Sequence, residues 1–315
     1  MADEVQTFNP SDPQFEEWFL ISIITVNMVA SLFDILINLS LMCAICKLKL
    51  LKKISYRFII ALCISDTCIG AIVQPLLTAR LLLTNKATRT IVRLVYQFFA
   101  ITFCNGTGML ICTISLDRYI HMRYLQRYSE HMSTRKANAL LVGVVLSSTC
   151  MGVAITIAAI KGHVLYVSSI VLAVTFVALL AIAIFYTRAY LSIKKRLANM
   201  KIKTPNVSRG RKFPRPDLIF AKGMLLILIS LIICYIPYLV IGGLVALLSD
   251  TESTNEQYSL QVAFYWSLVF TYFVSFINAM ILFIFDEKLK SFAKAFFNRT
   301  HQARNQETRD DIYQL

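Results

Sequence analysis

An acid and a base stand side by side in Ser115-Leu116-Asp117-Arg118-Tyr119, at the end of an almost uncharged run from Leu94 to Leu116 that is long enough to cross a bilayer as a helix. Such a side chain costs about 2.5–3.5 kcal/mol at mid-membrane depth and less near the ends, so something must offset the pair. The simplest offset ends the helix at the headgroups, with Arg118 snorkelling and Tyr119 in the aromatic belt. Other polar groups sit deeper in apolar runs: Asn38, Asp66, Asn105, Thr107, Ser275 and Asn278. Each needs a partner, and Asp66 is the costliest. Asn38, Asp66 and Asn278 read either as a hydrogen-bonded brace, at about 1 kcal/mol or less per bond, or as a cation or proton site. Pro237, in Cys234-Tyr235-Ile236-Pro237-Tyr238, removes a backbone bond and kinks its helix, as a static bend or as a hinge.

The elements that hold these residues follow from composition. Of the 315 residues 57% are hydrophobic and 16% charged, and mean hydropathy is +0.62; a soluble domain carries about a quarter charged residues. Seven apolar runs, at about 19–46, 58–83, 93–117, 138–160, 165–187, 223–248 and 260–285, each approach or exceed the roughly 20 residues of a spanning helix. Their apolar residues cover the whole helical circumference, which a soluble core helix does not do. The chain is predicted to be an all-α membrane protein: a seven-transmembrane helix bundle over 19–285, with an outer tail over 1–18. An amphipathic interfacial helix over 286–297 and an inner tail over 298–315 follow it. In that helix Leu289, Phe292, Ala293, Phe296 and Phe297 share one face, and lysines take the other.

Charge sets the orientation. Of the 32 Lys and Arg residues, 27 fall on one side of the bundle: five in 47–57, five in 118–136, eleven in 188–222 and six after Phe285. The other side keeps Arg80, Lys86, Arg89, Arg93 and Lys161, and the N-terminal tail has five acids and no base. The basic side faces the cytoplasm, so the N-terminus is expected outside and the C-terminus inside, in a multi-pass plasma-membrane protein. The net charge of +14 is thereby assigned to anionic lipid, and nucleic-acid binding loses its support. The leader lacks a basic n-region, so the first helix is expected to act as its own insertion signal. All eight cysteines fall in apolar runs, away from any extracellular disulfide or zinc cluster. The segment from Lys194 to Phe220, basic and broken by Pro205, Pro214 and Pro216, reads as a mobile inner loop.

Seven spans with these motifs resemble the rhodopsin-like (class A) G-protein-coupled receptors over roughly residues 19–297. Asn38, Asp66 and Pro75 look like the first- and second-helix signatures, and Asp117-Arg118-Tyr119 like the Asp-Arg-Tyr triplet. Tyr186-Thr187-Arg188 is similar to the inner end of the fifth helix. Cys234-Tyr235-Ile236-Pro237 looks like the Cys-Trp-x-Pro hinge, and Asn278-Ala279-Met280-Ile281-Leu282 like a degraded Asn-Pro-x-x-Tyr. The departures are Val145 for the fourth-helix tryptophan, Ala178 for the fifth-helix proline, Ala279 and Leu282 in the seventh helix, and Arg93 for the outer cysteine of the third. The missing disulfide and the short loop near Lys161 are loosely similar to the melanocortin, lysophospholipid, cannabinoid and adenosine group.

The resemblance implies a receptor in which a ligand in the outer bundle biases two helix arrangements. At rest Arg118 pairs with Asp117 and with Asp217. On activation the sixth helix pivots at Pro237, with Tyr119, Tyr186, Tyr235 and Asn278 in the same switch. A heterotrimeric G protein then binds the opened cleft; arrestin and membrane lipid are further implied partners. Ala100 stands where amine receptors hold an acid and Tyr272 where opsins hold the retinal lysine, so neither ligand class is expected. The candidate pocket is Ala100, Ile101, Cys104, Tyr238, Leu239, Tyr265, Leu268 and Tyr272, mostly apolar or aromatic. Above it Arg93, Arg80, Lys86 and Arg89 form a basic rim, which either meets an acidic or phosphate headgroup, or snorkels or pairs with the acidic tail. No cofactor is expected beyond an allosteric sodium ion at Asp66, Thr107 and Asn278. The rival readings are a receptor-like protein that does not couple and a seven-helix transporter or channel. Enzyme readings fail because no nucleophile, base and orienter group together.

Overall fold

In hydrocarbon a chain must satisfy every backbone N–H and C=O within itself, and each apolar run does so as a helix. The computed structural model describes residues 17–124, 127–203, 215–248 and 254–295. Seven of its helices are long and apolar enough to cross a membrane. They are α1 Glu17–Lys47, α2 Ile54–Leu82, α3 Lys86–Tyr124, α4 Thr134–Ile160, α5 Val164–Lys203, α6 Arg215–Leu247 and α7 Thr254–Phe285. Residues 287–295 form α8, whose Leu289 is buried while its lysines are exposed.

The seven spans pack in sequence as a ring that closes where α7 meets α1, and α3 also packs along α5 and serves as the central post. An inner core gathers Leu41, Phe58, Ile111, Tyr186, Cys234 and Leu282 at the end that carries Arg118. An outer core gathers Ile23, Leu77, Tyr96, Tyr265, Val269 and Tyr272. Glycine permits close approach at one crossing: a Cβ on Gly223 of α6 would lie 2.7 Å from Cβ of Phe285 at the end of α7.

Hydropathy marks where lipid ends, not where helices end, and three elements differ from the reading above. The helix α3 continues past the Asp-Arg-Tyr triplet to Tyr124, so the triplet lies more than a turn inside the helix. The helix α5 continues to Lys203, so Lys194–Lys203, read as mobile loop, is helical. Pro205 and Pro214 lie outside the described residues, while Pro216 falls in the first turn of α6, where its missing N–H has no helical partner to lose. The two tails, with Phe296 and Phe297, also lie outside the described residues.

The helix α2 carries a π-turn over Ile69–Val73, and the following Pro75 has no N–H to continue that register onto the Gly70 carbonyl. Ser31 of α1 fills the gap, its Oγ donating to the Gly70 carbonyl at 2.7 Å. One turn outward, Asn27 Nδ2 donates to the Gln74 carbonyl at 2.8 Å and to Thr78 Oγ1 at 3.0 Å. Asn27, Ser31, Asp34 and Asn38 thus form a buried polar seam on α1, at helical spacing, against α2.

Candidate functional site

At the inner end, Asp117 is fully buried and three groups converge on it. Ser55, at the start of α2, donates to Oδ2 at 2.7 Å, and Tyr128, in a short helical turn after α3, donates to Oδ1 at 2.5 Å. Arg118 Nε lies 3.8 Å from Oδ2, an ion pair looser than either hydroxyl bond. Burial first, and then the bond to Asp117, push the Tyr128 phenol above its ordinary value, so it remains a donor at neutral pH. Tyr186 of α5 is buried within reach of Ser115 and the Arg118 charge. Tyr119 leaves this cluster and accepts a hydrogen bond from Arg123. Asp217 lies in the first turn of α6, and its side chain is outside the described residues. Ser55 and Tyr128 escaped the sequence reading, because a hydroxyl near a helix end gives no signal of its own.

A second junction ties α2 to α8. Tyr56 donates to Asp286 Oδ2 at 2.7 Å, both side chains being buried. Asp286 Oδ1 caps α8 by accepting from Lys288 N at 3.0 Å and Leu289 N at 3.2 Å. Lys53 beside them is pushed below its ordinary value, first by sharing a hydrogen bond with Lys288 and then by burial. Leu282 and Ala279 of the degraded motif are buried in the apolar inner core.

Mid-bundle, Thr107 of α3 donates to Asp66 Oδ1 at 2.8 Å, and Ser275 of α7 is a second hydroxyl on Asp66. Ser65 lies 3.1 Å from Thr107 and donates to the Phe103 carbonyl. The brace of Asn38, Asp66 and Asn278 does not form. The Asn38 amide turns back to Asp34, 3.0 Å from its carbonyl and 3.4 Å from its Oδ1, because a partner one turn away on α1 is nearer than α7. Asn278 is fully buried with neither side-chain atom paired. Asp34, which the sequence reading passed over, is buried in the same region with Oδ2 unpaired. Its spacing from Asn27, Ser31 and Asn38 was a readable polar stripe.

At the outer end Tyr265, Tyr272, Ala100, Cys104 and Leu268 come together in one apolar cluster with Tyr96, while Tyr238 stands against Phe264. Ile101 and Leu239 are half-buried outside that cluster. Tyr96, absent from the sequence reading, shares a hydroxyl hydrogen bond of 2.7 Å with Tyr272. Arg80 lies 5.7 Å from the ring centroid of Tyr96 and 5.9 Å from that of Tyr265. Arg89 and Arg93, on the first turns of α3, are close enough to feel each other's charge and that of Arg80. Tyr235 and Pro237 lie half-buried within α6, which stays helical through the proline.

The structure is thus a ring of seven candidate spans around a long third helix, with an Asp-Arg pair held at one end and an aromatic cluster at the other. Residues 37–161, from the middle of α1 to the turn after α4, match the 7 transmembrane receptor (rhodopsin family). Over that stretch, less than half of its length, the chain is similar to this receptor family. The 5-hydroxytryptamine receptor 6 of Mus musculus is 29% identical over 106 residues, covering 34% of this chain and 24% of that protein. Its Rattus norvegicus counterpart is 29% identical over 99 residues, covering 31% and 23%. The matching part therefore spans about a quarter of each relative's length.

Proposed function

We propose that the protein is a plasma-membrane receptor, N-terminus outside, that couples a ligand in the outer cluster to nucleotide exchange on a cytoplasmic heterotrimeric G protein. The Asp117 assembly carries this reading. An acid held by two hydroxyls on α2 and on the turn after α3 needs little more from Arg118, whose guanidinium is poised to leave it. Asp217 is the second acid of the resting lock. Outward movement of α6, pivoting at Pro237, breaks the Gly223–Phe285 contact and opens a cleft in which Arg118 meets the G protein. The chain performs no covalent chemistry in this scheme.

The amine in the relatives' name does not transfer, because Ala100 offers no carboxylate. Three mutually repelling guanidiniums, Arg80, Arg89 and Arg93, beside an apolar aromatic cluster suit a ligand with an acidic or phosphate headgroup and an apolar body. For an identified ligand of this kind, potency unchanged by Arg93→Ala would reject the headgroup assignment. A sodium ion fits the bundle centre, where Asp66 Oδ2 and Asn278 Oδ1 are buried and unpaired beside Thr107. It would supply a positive charge against Asp66, and Asp66→Asn should abolish any sodium-dependent gain in thermal stability.

The coupling reading is tested in cells with a panel of G-protein sensors and no added ligand. Asp117→Asn and Asp217→Ala should raise the basal signal, and Arg118→Ala should lower it. Normal surface expression with no signal from any variant would favour a receptor-like protein that does not couple, the reading that Leu282 in place of a tyrosine supports.

A further inference from the structure

At the start of α2 two lysines meet that charge alone would keep apart. Lys53 stands just before α2, one turn ahead of Tyr56, and Lys288 lies two residues after Asp286. The Tyr56–Asp286 bond of 2.7 Å therefore draws both onto one junction. There the Lys53 side chain shares a hydrogen bond with Lys288, and the charge of Arg118 is close enough for Lys53 to feel it. An ammonium has three donors and no acceptor. Two of them keep such a contact at neutral pH only if one surrenders its proton or an anion stands between them.

The nearby acids do not fill that place. Asp286 is buried and spends Oδ2 on the Tyr56 hydroxyl and Oδ1 on the Lys288 and Leu289 amides. Glu287 is exposed and makes no ion pair with a described residue. Lys53 and Lys288 are both exposed, so an anion can reach them from outside the protein. The level of the site tells which anion. In the short turn Leu50–Lys52 between α1 and α2, Leu51 is 39% exposed beside Lys52, and on α8 Phe292 packs on the inner core while Lys290 and Lys294 are exposed. An exposed leucine among lysines, next to an amphipathic helix, marks a surface at headgroup depth. A phosphodiester in that layer brings one negative charge, and a phosphomonoester brings nearly two with three acceptor oxygens. Two ammoniums match the monoester.

We propose that Lys53 and Lys288 clasp the phosphomonoester headgroup of an anionic membrane lipid, bridging the start of α2 to the start of α8. The lipid as source rests on the inner placement of α8 in the receptor reading above; the clasp itself does not. The headgroup stands between the two ammoniums and accepts from both, so each keeps its proton. Bound there, it reinforces the same junction that Tyr56 and Asp286 close from inside the bundle.

The test uses the full chain, purified in a neutral detergent at constant ionic strength and titrated with phosphatidylinositol monophosphate, the bound fraction being read by native mass spectrometry. Phosphatidylserine and phosphatidylcholine serve as reference lipids. The monophosphate should bind at least about fivefold more tightly than phosphatidylserine, and equal affinity for the two overturns the proposal. Lys53→Gln and Lys288→Gln should each weaken its binding about fivefold and together about 25-fold. Lys290→Gln combined with Lys294→Gln removes as much charge from α8 but should weaken binding less than about twofold. Equal losses from the two pairs would show a diffuse basic surface and overturn the clasp. The headgroup preference of the wild type decides the question even if a variant fails to fold. Free inositol bisphosphate should not compete at the concentration of the lipid; if it does, a soluble phosphate replaces the lipid as the occupant. Micelles have no inner side, so the placement is read separately. An N-terminal epitope reached by antibody only in permeabilised cells would overturn the inner placement of α8, and the inner leaflet as source with it, while the clasp measured in micelles stands.

Discussion

Replacing Tyr56 by Phe removes one oxygen from a junction where α2, α7 and α8 meet. That oxygen donates to Asp286 Oδ2 at 2.7 Å, and Tyr56 and Asp286 are 7% and 8% exposed, so water has little access to take its place. A hydrogen bond to a charged group is worth about 1.5–3 kcal/mol, so Tyr56→Phe should cost about 2 kcal/mol. The cap on α8 survives, because Oδ1 still accepts from Lys288 and Leu289. Asp286→Ala loses cap and bond together and should cost about 3 kcal/mol. At about 2 °C per kcal/mol for a chain of this size, Tyr56→Phe should lower the Tm by about 4 °C. The assay is thermal unfolding in lipid nanodiscs for Tyr56→Phe, Asp286→Asn and the double variant. A coupling energy of about 1–2 kcal/mol is expected from that cycle. Strict additivity, or a Tm change under about 1 °C for Tyr56→Phe, would refute the view that this bond anchors the inner end of α7 in place of the missing motif tyrosine.

Other outcomes follow from single contacts. Ser31→Ala should cost about 1–3 kcal/mol in thermal unfolding, since it leaves the Gly70 carbonyl beside Pro75 without a donor; Ser31→Thr should recover part of it. Gly223→Ala, whose Cβ would meet Phe285 at 2.7 Å, should push α6 from α7 and raise ligand-free G-protein signalling. A basal signal equal to wild type would show that this contact does not hold the resting state. Tyr128→Phe should lower basal signal, because Asp117 deprived of a donor holds Arg118 more firmly, by about 2 kcal/mol and so about 30-fold in the underlying equilibrium. It should leave surface expression unchanged.

Much of this arrangement is visible in the residues themselves, for physical reasons that also explain the gaps. Asp117, Arg118 and Asp66 stand out because a charge inside an apolar run has no inexpensive placement, whatever the fold. Asp34 was equally conspicuous by that rule. It was overshadowed by Asn38 one turn later, although its spacing from Asn27, Ser31 and Asn38 marks one polar stripe; the register against α2 shows what that stripe faces. Ser55 and Tyr128 carry no such signal: a hydroxyl near a helix end is unremarkable until the fold places it 2.7 or 2.5 Å from a buried carboxylate. The lengths of α3 and α5 exceed the apolar runs because a helix leaving the membrane can continue in water, where hydropathy no longer marks it. The π-turn in α2 was hidden for a further reason. Gly70 and Pro75 advertise irregularity, but the side chains that satisfy the freed carbonyl come from a different helix.

The measurement that bears most directly on the receptor account is GDP release from a purified heterotrimeric G protein by the purified chain in nanodiscs. The wild-type chain should accelerate release, Asp117→Asn should accelerate it further, and Arg118→Ala should return it to the rate of empty nanodiscs. Equal release by wild type and Arg118→Ala, across each G-protein class and with both proteins folded, would contradict the claim that this arginine carries the signal across the membrane.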